Sequence, residues 1–275
     1  MTRIALLQSN TGIDPRANAA ALVNAIEEAA KGGAAMLFTP EMSGLLDRDS
    51  KRAATNITRE EEDPVLAACR AAAREHGMWL HLGSVAVLVD DGKVANRGFA
   101  IDRNGNIRAR YDKIHLFDVD LPTGESWRES AVYRPGVGAV LVNGTPVGKL
   151  GLTICYDLRF PTLFARIAEA DADIISVPAA FTVPTGRAHW HVLLRARAIE
   201  AGVFVVAAAQ VGRHEDGRQT FGHSLVIDPW GEVLLDMGEE RGVGFADIDL
   251  ARISDVRSRI PALNHRRPIP EAVIS

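Results

Sequence analysis

Apolar residues along the chain fall into short blocks of two kinds, and the two kinds alternate. Residues 3–7 (RIALL), apolar from Ile4 onward, predict a buried strand. Residues 18–30 (NAAALVNAIEEAA) are Ala-rich with helical spacing, and Gly32-Gly33 closes them as a helix C-cap would. A second apolar strand follows at 35–39, and a second Ala-rich helix at 64–76, closed by Gly77. Residues 79–89 again read as a strand. Two further strands, 94–101 and 106–111, flank Asp102-Arg103-Asn104-Gly105, a hairpin signal. The second half repeats the alternation. Strands are expected at 146–154, 174–177 and 203–209, and helices at 161–169 and 189–201. Strands at 224–227 and 232–235 flank Asp228-Pro229-Trp230-Gly231, and a strand at 243–248 precedes a short helix.

Alternating helices and strands with hairpins between them predict a layered α/β domain rather than a purely doubly wound sheet. The order suggests two sheets packed together with helices outside. No repeat of fixed period and no linker-like tract divides the chain, so residues 1–275 are taken as one domain. Composition agrees: 47% hydrophobic and 24% charged residues are ordinary for a soluble globular chain. A net charge of −4 offers no basic surplus for phosphates, which argues against nucleic acid as a partner. No apolar run reaches the length of a membrane span. The start MTRIALLQSN turns polar too early for a secretory signal, so a cytoplasmic location is expected.

Only two cysteines are present, Cys69 and Cys155, and neither belongs to a CxxC pair. In a reducing compartment both should be free thiols. Cys69 lies among alanines in a predicted helix and reads as core packing. Cys155 stands where an apolar strand ends and a turn toward a helix begins, in GLTICYDLRFP. Such a turn can present a nucleophile while backbone N–H groups point at its substrate. Most lone cysteines are small core hydrophobes, and position alone does not separate the two readings. Glu41 follows the strand AMLFTP, at the carboxyl end where α/β ligand sites gather. Lys113, in YDKIHLFD, also lies just past a strand. Each alone could be a solvated loop residue. Three such residues at three strand ends are less easily an accident.

The ordered set Pro40-Glu41, DKIHLF (112–117) and ICYDLRFP (154–161) resembles the nitrilase superfamily of carbon–nitrogen hydrolases. The blocks TGRAHW (185–190), LRARAIE (194–200), GHS (222–224), DPWG (228–231) and HRRP (265–268) are similar as well, so the resemblance spans nearly the whole chain. It implies a four-layer α-β-β-α sandwich. Within the superfamily the blocks are similar to the amidases of deaminated glutathione and to the sister ω-amidases. Residues 207–214 (AAAQVGRH) lean toward the first and 114–120 (IHLFDVD) are equally like the second. The loop 121–130 (LPTGESWRES) matches neither closely.

The resemblance implies the roles. Cys155 would be the nucleophile and Glu41 the base that takes its proton, returns it to the leaving amine and then activates water. Lys113 and the backbone N–H of Tyr156 would meet the oxyanion, and the Lys113 charge should also favour the thiolate. Glu129 looks like the family's second glutamate, which holds the lysine; its plain reading is a surface acid. His115 reads as structural. Arg159 would clamp a substrate carboxylate with its guanidinium fork; its plain reading is an ion pair with Asp157 or a neighbouring acid. Arg195, Arg197 and Glu200 share a helix that in similar proteins helps form a dimer, while Arg197 and Glu200 could simply pair at i, i+3.

The expected activity is hydrolysis of a small-molecule amide of a 2-oxo acid through a thioester, with deaminated glutathione as substrate. An ω-amidase acting on 2-oxoglutaramate, an N-carbamoyl amide hydrolase, a nitrilase and a catalytically silent binding scaffold are the rival readings. Neither a metal nor an organic cofactor is called for, and a homodimer or higher homo-oligomer is expected.

Overall fold

The computed structural model describes residues 1–120, 124, 126–271 and 274. Part of the unusual loop noted above, residues 121–123 and 125, lies outside these. Two six-stranded sheets form the centre. The first runs, in spatial order, Gly242–Ile248, Thr2–Gln8, Met36–Phe38, Trp79–Leu88, Val94–Ile101 and Ile107–Asp112. The second runs Val233–Asp236, Leu225–Ile227, Phe204–Ala207, Ile174–Ser176, Gly148–Leu152 and Val140–Thr145. In each, three parallel strands are flanked by antiparallel ones; Ile4 pairs with Met36 and Met36 with Trp79, as Leu150 pairs with Ile174 and Ile174 with Phe204.

The continuous apolar runs have a direct cause: these strands are covered on both faces. In Thr2–Gln8, Ile4 and Leu6 join the core shared with the second sheet, with Leu150, Leu152 and Ile174. Their neighbours Ala5 and Leu7 point the other way, onto Leu22 and Ile26 of helix Pro15–Lys31 and Leu66 of helix Pro64–Glu75. Helices Pro161–Glu169 and Val183–Ala201 cover the second sheet through Phe164, Trp190 and Leu194. The result is the expected four-layer α-β-β-α sandwich. Cys69 is buried in the outer core, and burial pushes its thiol up to about 12.

Most predicted elements lie within a few residues of the observed ones, with three informative differences. The helix expected from residue 189 begins at Val183. Its Pro184 is tolerated because the first helical turn has no use for that N–H. Its Gly186 is a packing residue rather than a breaker, since a Cβ there would meet the Phe221 ring at 2.3 Å. The strand expected at 146–154 is instead one arm of a hairpin, with the turn at 146–147 and Val140–Thr145 as the other arm. A two-stranded ribbon, Asp118–Asp120 with Ser126–Arg128, stands beside the sheets and was not expected. Among the described residues no helix is long and apolar enough to cross a membrane.

Candidate active site

Glu41, Lys113 and Cys155 each leave the carboxyl end of a strand, two from the first sheet and one from the second. The sandwich brings these ends together around a cavity of about 50 Å³. All three line it, as do Glu129, Tyr156, Phe117, Trp127, Phe181 and Arg218. Glu41 is 3% exposed and Lys113 only 1%.

The Glu41 carboxylate is held by three donors. Lys113 Nζ and Asn96 Nδ2 both donate to Oε1 at 2.9 Å, and the Ala180 N–H donates to Oε2 at 2.9 Å. The chain must turn tightly to put it there. Gly83 lies so close beneath that a Cβ would sit 2.1 Å from the Thr39 carbonyl and 2.4 Å from that of Pro40. Gln210 donates to the Glu41 carbonyl at 3.0 Å and to Thr11 Oγ1 at 2.7 Å, tying the acid's backbone to both sheets.

Lys113 is shared between two acids. Besides Glu41, its Nζ lies 3.1 and 2.9 Å from the two oxygens of Glu129. Glu129 also accepts from the Phe117 N–H at 2.8 Å, which fixes its position. Burial works against the Lys113 charge, but Glu129 and Glu41 outweigh it and hold the ammonium protonated well above the ordinary lysine range.

Cys155 opens the short helical turn Cys155–Arg159 in a left-handed conformation, with φ +46°. That region is strained for a residue with a side chain. Its N–H is anchored to the Pro178 carbonyl at 2.9 Å. Burial and the neighbouring Glu41 carboxylate push the thiol well above its ordinary value, and Lys113 offsets only part of this. Lys113 favours the thiolate, as expected, but burial and Glu41 act more strongly the other way. A dry site and an adjacent anion favour S–H. Tyr156 follows within the first turn, where backbone N–H groups have no intrahelical acceptor.

The rest of the motif is framework. Asp157 is fully buried and accepts from Tyr111 Oη at 2.7 Å, the His115 N–H at 3.1 Å and the Ile154 N–H at 2.9 Å, with His115 Nδ1 at 2.7 Å. It locks the cysteine turn to the segment carrying Lys113. The suggested Arg159–Asp157 ion pair is thus not formed, because every face of Asp157 is taken. Arg159 is half-buried; its guanidinium lies 3.3 Å from His189 Nδ1, over the rings of Tyr156 and Phe181 at 6.0 and 5.6 Å. It backs two residues of the cavity wall and is not part of that wall. Arg197 pairs with Glu200 at 2.7 Å, as their spacing suggested, and its Nε donates to the Leu158 carbonyl. Residues 207–214 do not reach the cavity; Gln210 and His214 brace Thr11 and the Glu41 backbone.

Sequence reasoning missed Asn96, Gln210 and Arg218. Asn96 had a faint signal, as a polar residue inside the apolar strand Val94–Ile101.

These thiols should differ sharply in reactivity. Cys155 borders a cavity, whereas Cys69 has no exposed surface. Iodoacetamide should alkylate Cys155 first. Its rate should keep climbing as the pH passes 9, because the thiol's raised pKa delays the thiolate. Peptide mapping across pH 7–10 checks this, and a plateau below pH 8 would contradict it.

A layered α-β-β-α fold with a buried Glu–Lys–Cys cluster is that of a carbon–nitrogen hydrolase. The carbon–nitrogen hydrolase family profile matches residues 3–258, and the chain belongs to that family, within the nitrilase superfamily. It is 38% identical over 273 residues to the deaminated glutathione amidase of Yersinia enterocolitica, covering 98% of this chain and 94% of that one. Its fold superposes on the crystal structure of the C. elegans NitFhit protein with a TM-score of 0.89 at 38% identity, covering 97% of this chain but 65% of that longer one. It superposes equally fully on Saccharomyces cerevisiae Nit3, described as a member of branch 10 of the nitrilase superfamily, with a TM-score of 0.86 at 27% identity over 97% and 96% of the two chains.

Proposed function

We propose that this enzyme hydrolyses the amide of a 2-oxo acid through a thioester on Cys155, and that its substrate is deaminated glutathione. The observation that carries the chemistry is the single cavity in which the Cys155 thiol, the Glu41 carboxylate and the Lys113 ammonium meet. The similarity to deaminated glutathione amidases supports the substrate.

The geometry supports the following steps. Cys155 Sγ attacks the amide carbon as Glu41 takes its proton. The carbonyl oxygen gains the negative charge, beside Lys113 and the Tyr156 N–H. A fixed ammonium in a dry site stabilises that charge far more than one in water. The C–N bond then breaks, and Glu41 returns its proton to the amine, which could not depart as an anion. Water enters, Glu41 takes one of its protons, and the hydroxyl attacks the thioester carbon. Sulfur leaves and is reprotonated, releasing 2-oxoglutarate after cysteinylglycine. Glu129 keeps Lys113 in place through both halves.

A comparison of purified protein on deaminated glutathione and on 2-oxoglutaramate tests this reading. The expected result is a higher kcat/KM for deaminated glutathione, because the dipeptide offers contacts that ammonia cannot and these help align the amide. Equal or better use of 2-oxoglutaramate would make the enzyme an ω-amidase. Activity confined to nitriles or carbamoyl amino acids would overturn the proposal.

A further inference from the structure

The thiol cavity opens into a larger cleft of about 590 Å³. Met42, Trp127, Glu129 and Arg218 line both spaces, so they form the threshold between them. Two of these residues carry hydrogen-bond donors with nothing to donate to. Among the described residues, Arg218 Nε and Trp127 Nε1 are shut off from solvent and have no partner. Buried donors are rarely left so, and each costs stability until an acceptor arrives.

The two donors belong to one assembly. The Arg218 guanidinium lies over the Trp127 ring, 4.6 Å from its centroid. Its nearest acid is Asp216, with Nη2 and Oδ2 3.4 Å apart, and that oxygen too is without a hydrogen bond. Burial disfavours the Arg218 charge and Asp216 only partly restores it. A second guanidinium, that of Arg48, stands 5.0 Å from the same ring. The threshold therefore holds two buried donors, Arg218 Nε and Trp127 Nε1, that lack acceptors. A planar anion with two acceptor oxygens fits this chemistry: a guanidinium fork and an indole N–H suit a carboxylate.

Size tells which half of a substrate would bring it. A cavity of about 50 Å³ has no room for a dipeptide, whereas the cleft of about 590 Å³ does. Arg159 approaches from elsewhere, behind Tyr156 and Phe181, which line the cavity and not the cleft. Resting on the amidase reading above, we infer that Arg218 and Trp127 form a subsite for a carboxylate on the departing half of the substrate, the C-terminal carboxylate of a small peptide amine. Such a subsite selects a peptide leaving group over ammonia, which has nothing to place there.

The test separates the subsite from the substrate reading. Binding of cysteinylglycine and of its C-terminal amide is measured by calorimetry on Cys155→Ala protein, which needs no turnover. In parallel, kcat/KM is measured for deaminated glutathione and its C-terminal amide. With Arg218 in place, the carboxylate should be preferred over the amide by roughly 10- to 100-fold, as for loss of a charge-assisted hydrogen bond. In Arg218→Gln that preference should shrink to within about 3-fold. Trp127→Phe keeps an aromatic ring but removes the indole N–H with the pyrrole half of the ring system, and should lower the preference by a few fold, which decides the matter if Arg218→Gln does not fold. Equal handling of carboxylate and amide by the unsubstituted site, or a preference unchanged in Arg218→Gln and Trp127→Phe, would overturn the inference. Binding of cysteinylglycine through Arg218 without turnover of deaminated glutathione would uphold the subsite and sink the substrate reading.

Discussion

Cys155→Ala should fold like the parent and lose turnover by about 10⁴-fold or more, the scale on which removal of an obligate nucleophile acts. The fold should survive because a small buried side chain is replaced by a smaller one, while the Lys113 pairs with Glu41 and Glu129 stay intact. Cys69→Ala should keep its activity, since Cys69 lies in the outer core behind the first sheet. Acid-quenched reactions analysed by mass spectrometry give the positive half of the test. The parent should carry an acyl group on the Cys155 peptide, and Cys155→Ala should carry none anywhere. Full turnover by Cys155→Ala would end the proposed mechanism.

Replacing Lys113 should damage both rate and stability, through separable causes. In Lys113→Ala, Glu41 and Glu129 face each other across the space left by the ammonium. Breaking a buried ion pair from one side typically costs about 3–5 kcal/mol, because the remaining charge is stranded. Loss of an oxyanion donor typically lowers kcat by about 10²–10³-fold. The loss should appear in kcat much more than in KM, because this contact strengthens as the oxygen becomes negative. Lys113→Arg distinguishes the two effects. It keeps the charge, so part of the lost thermal stability should return. It places a wide planar group where a point charge fitted, so little activity should return. A defect confined to KM in Lys113→Ala would make the lysine a ground-state binder instead.

The sign of the pH dependence follows from the same network. Lys113 is held protonated above the ordinary lysine range, so its contribution to stability is complete below about pH 10 and fades only as the solution becomes strongly alkaline.

How far the chain could be read without coordinates differs from element to element. The helices 15–31 and 64–75 and the strand Val94–Ile101 were legible because their patterns are local: helical spacing with a glycine stop, or an apolar run beside a turn. Glu41, Lys113 and Cys155 stood out because a polar or reactive residue directly after a buried strand is conspicuous. Other features rest on contacts between distant parts of the chain, which no local pattern encodes. Asn96 reaches Glu41 across 55 positions, and Gln210 reaches it across 169. Asp157 was readable as an acid beside the cysteine, but only packing could decide that it binds Tyr111 and His115 and leaves Arg159 to His189. Arg218 lay in a plain polar turn, HEDGRQ, and gave no signal at all. It became a candidate once the ribbon Asp118–Asp120/Ser126–Arg128 set Trp127 against it and both were seen to lack acceptors. A residue's strand or helix is set largely by near neighbours in sequence, whereas the solvent it loses and the partners it gains depend on which distant segments the two sheets bring together.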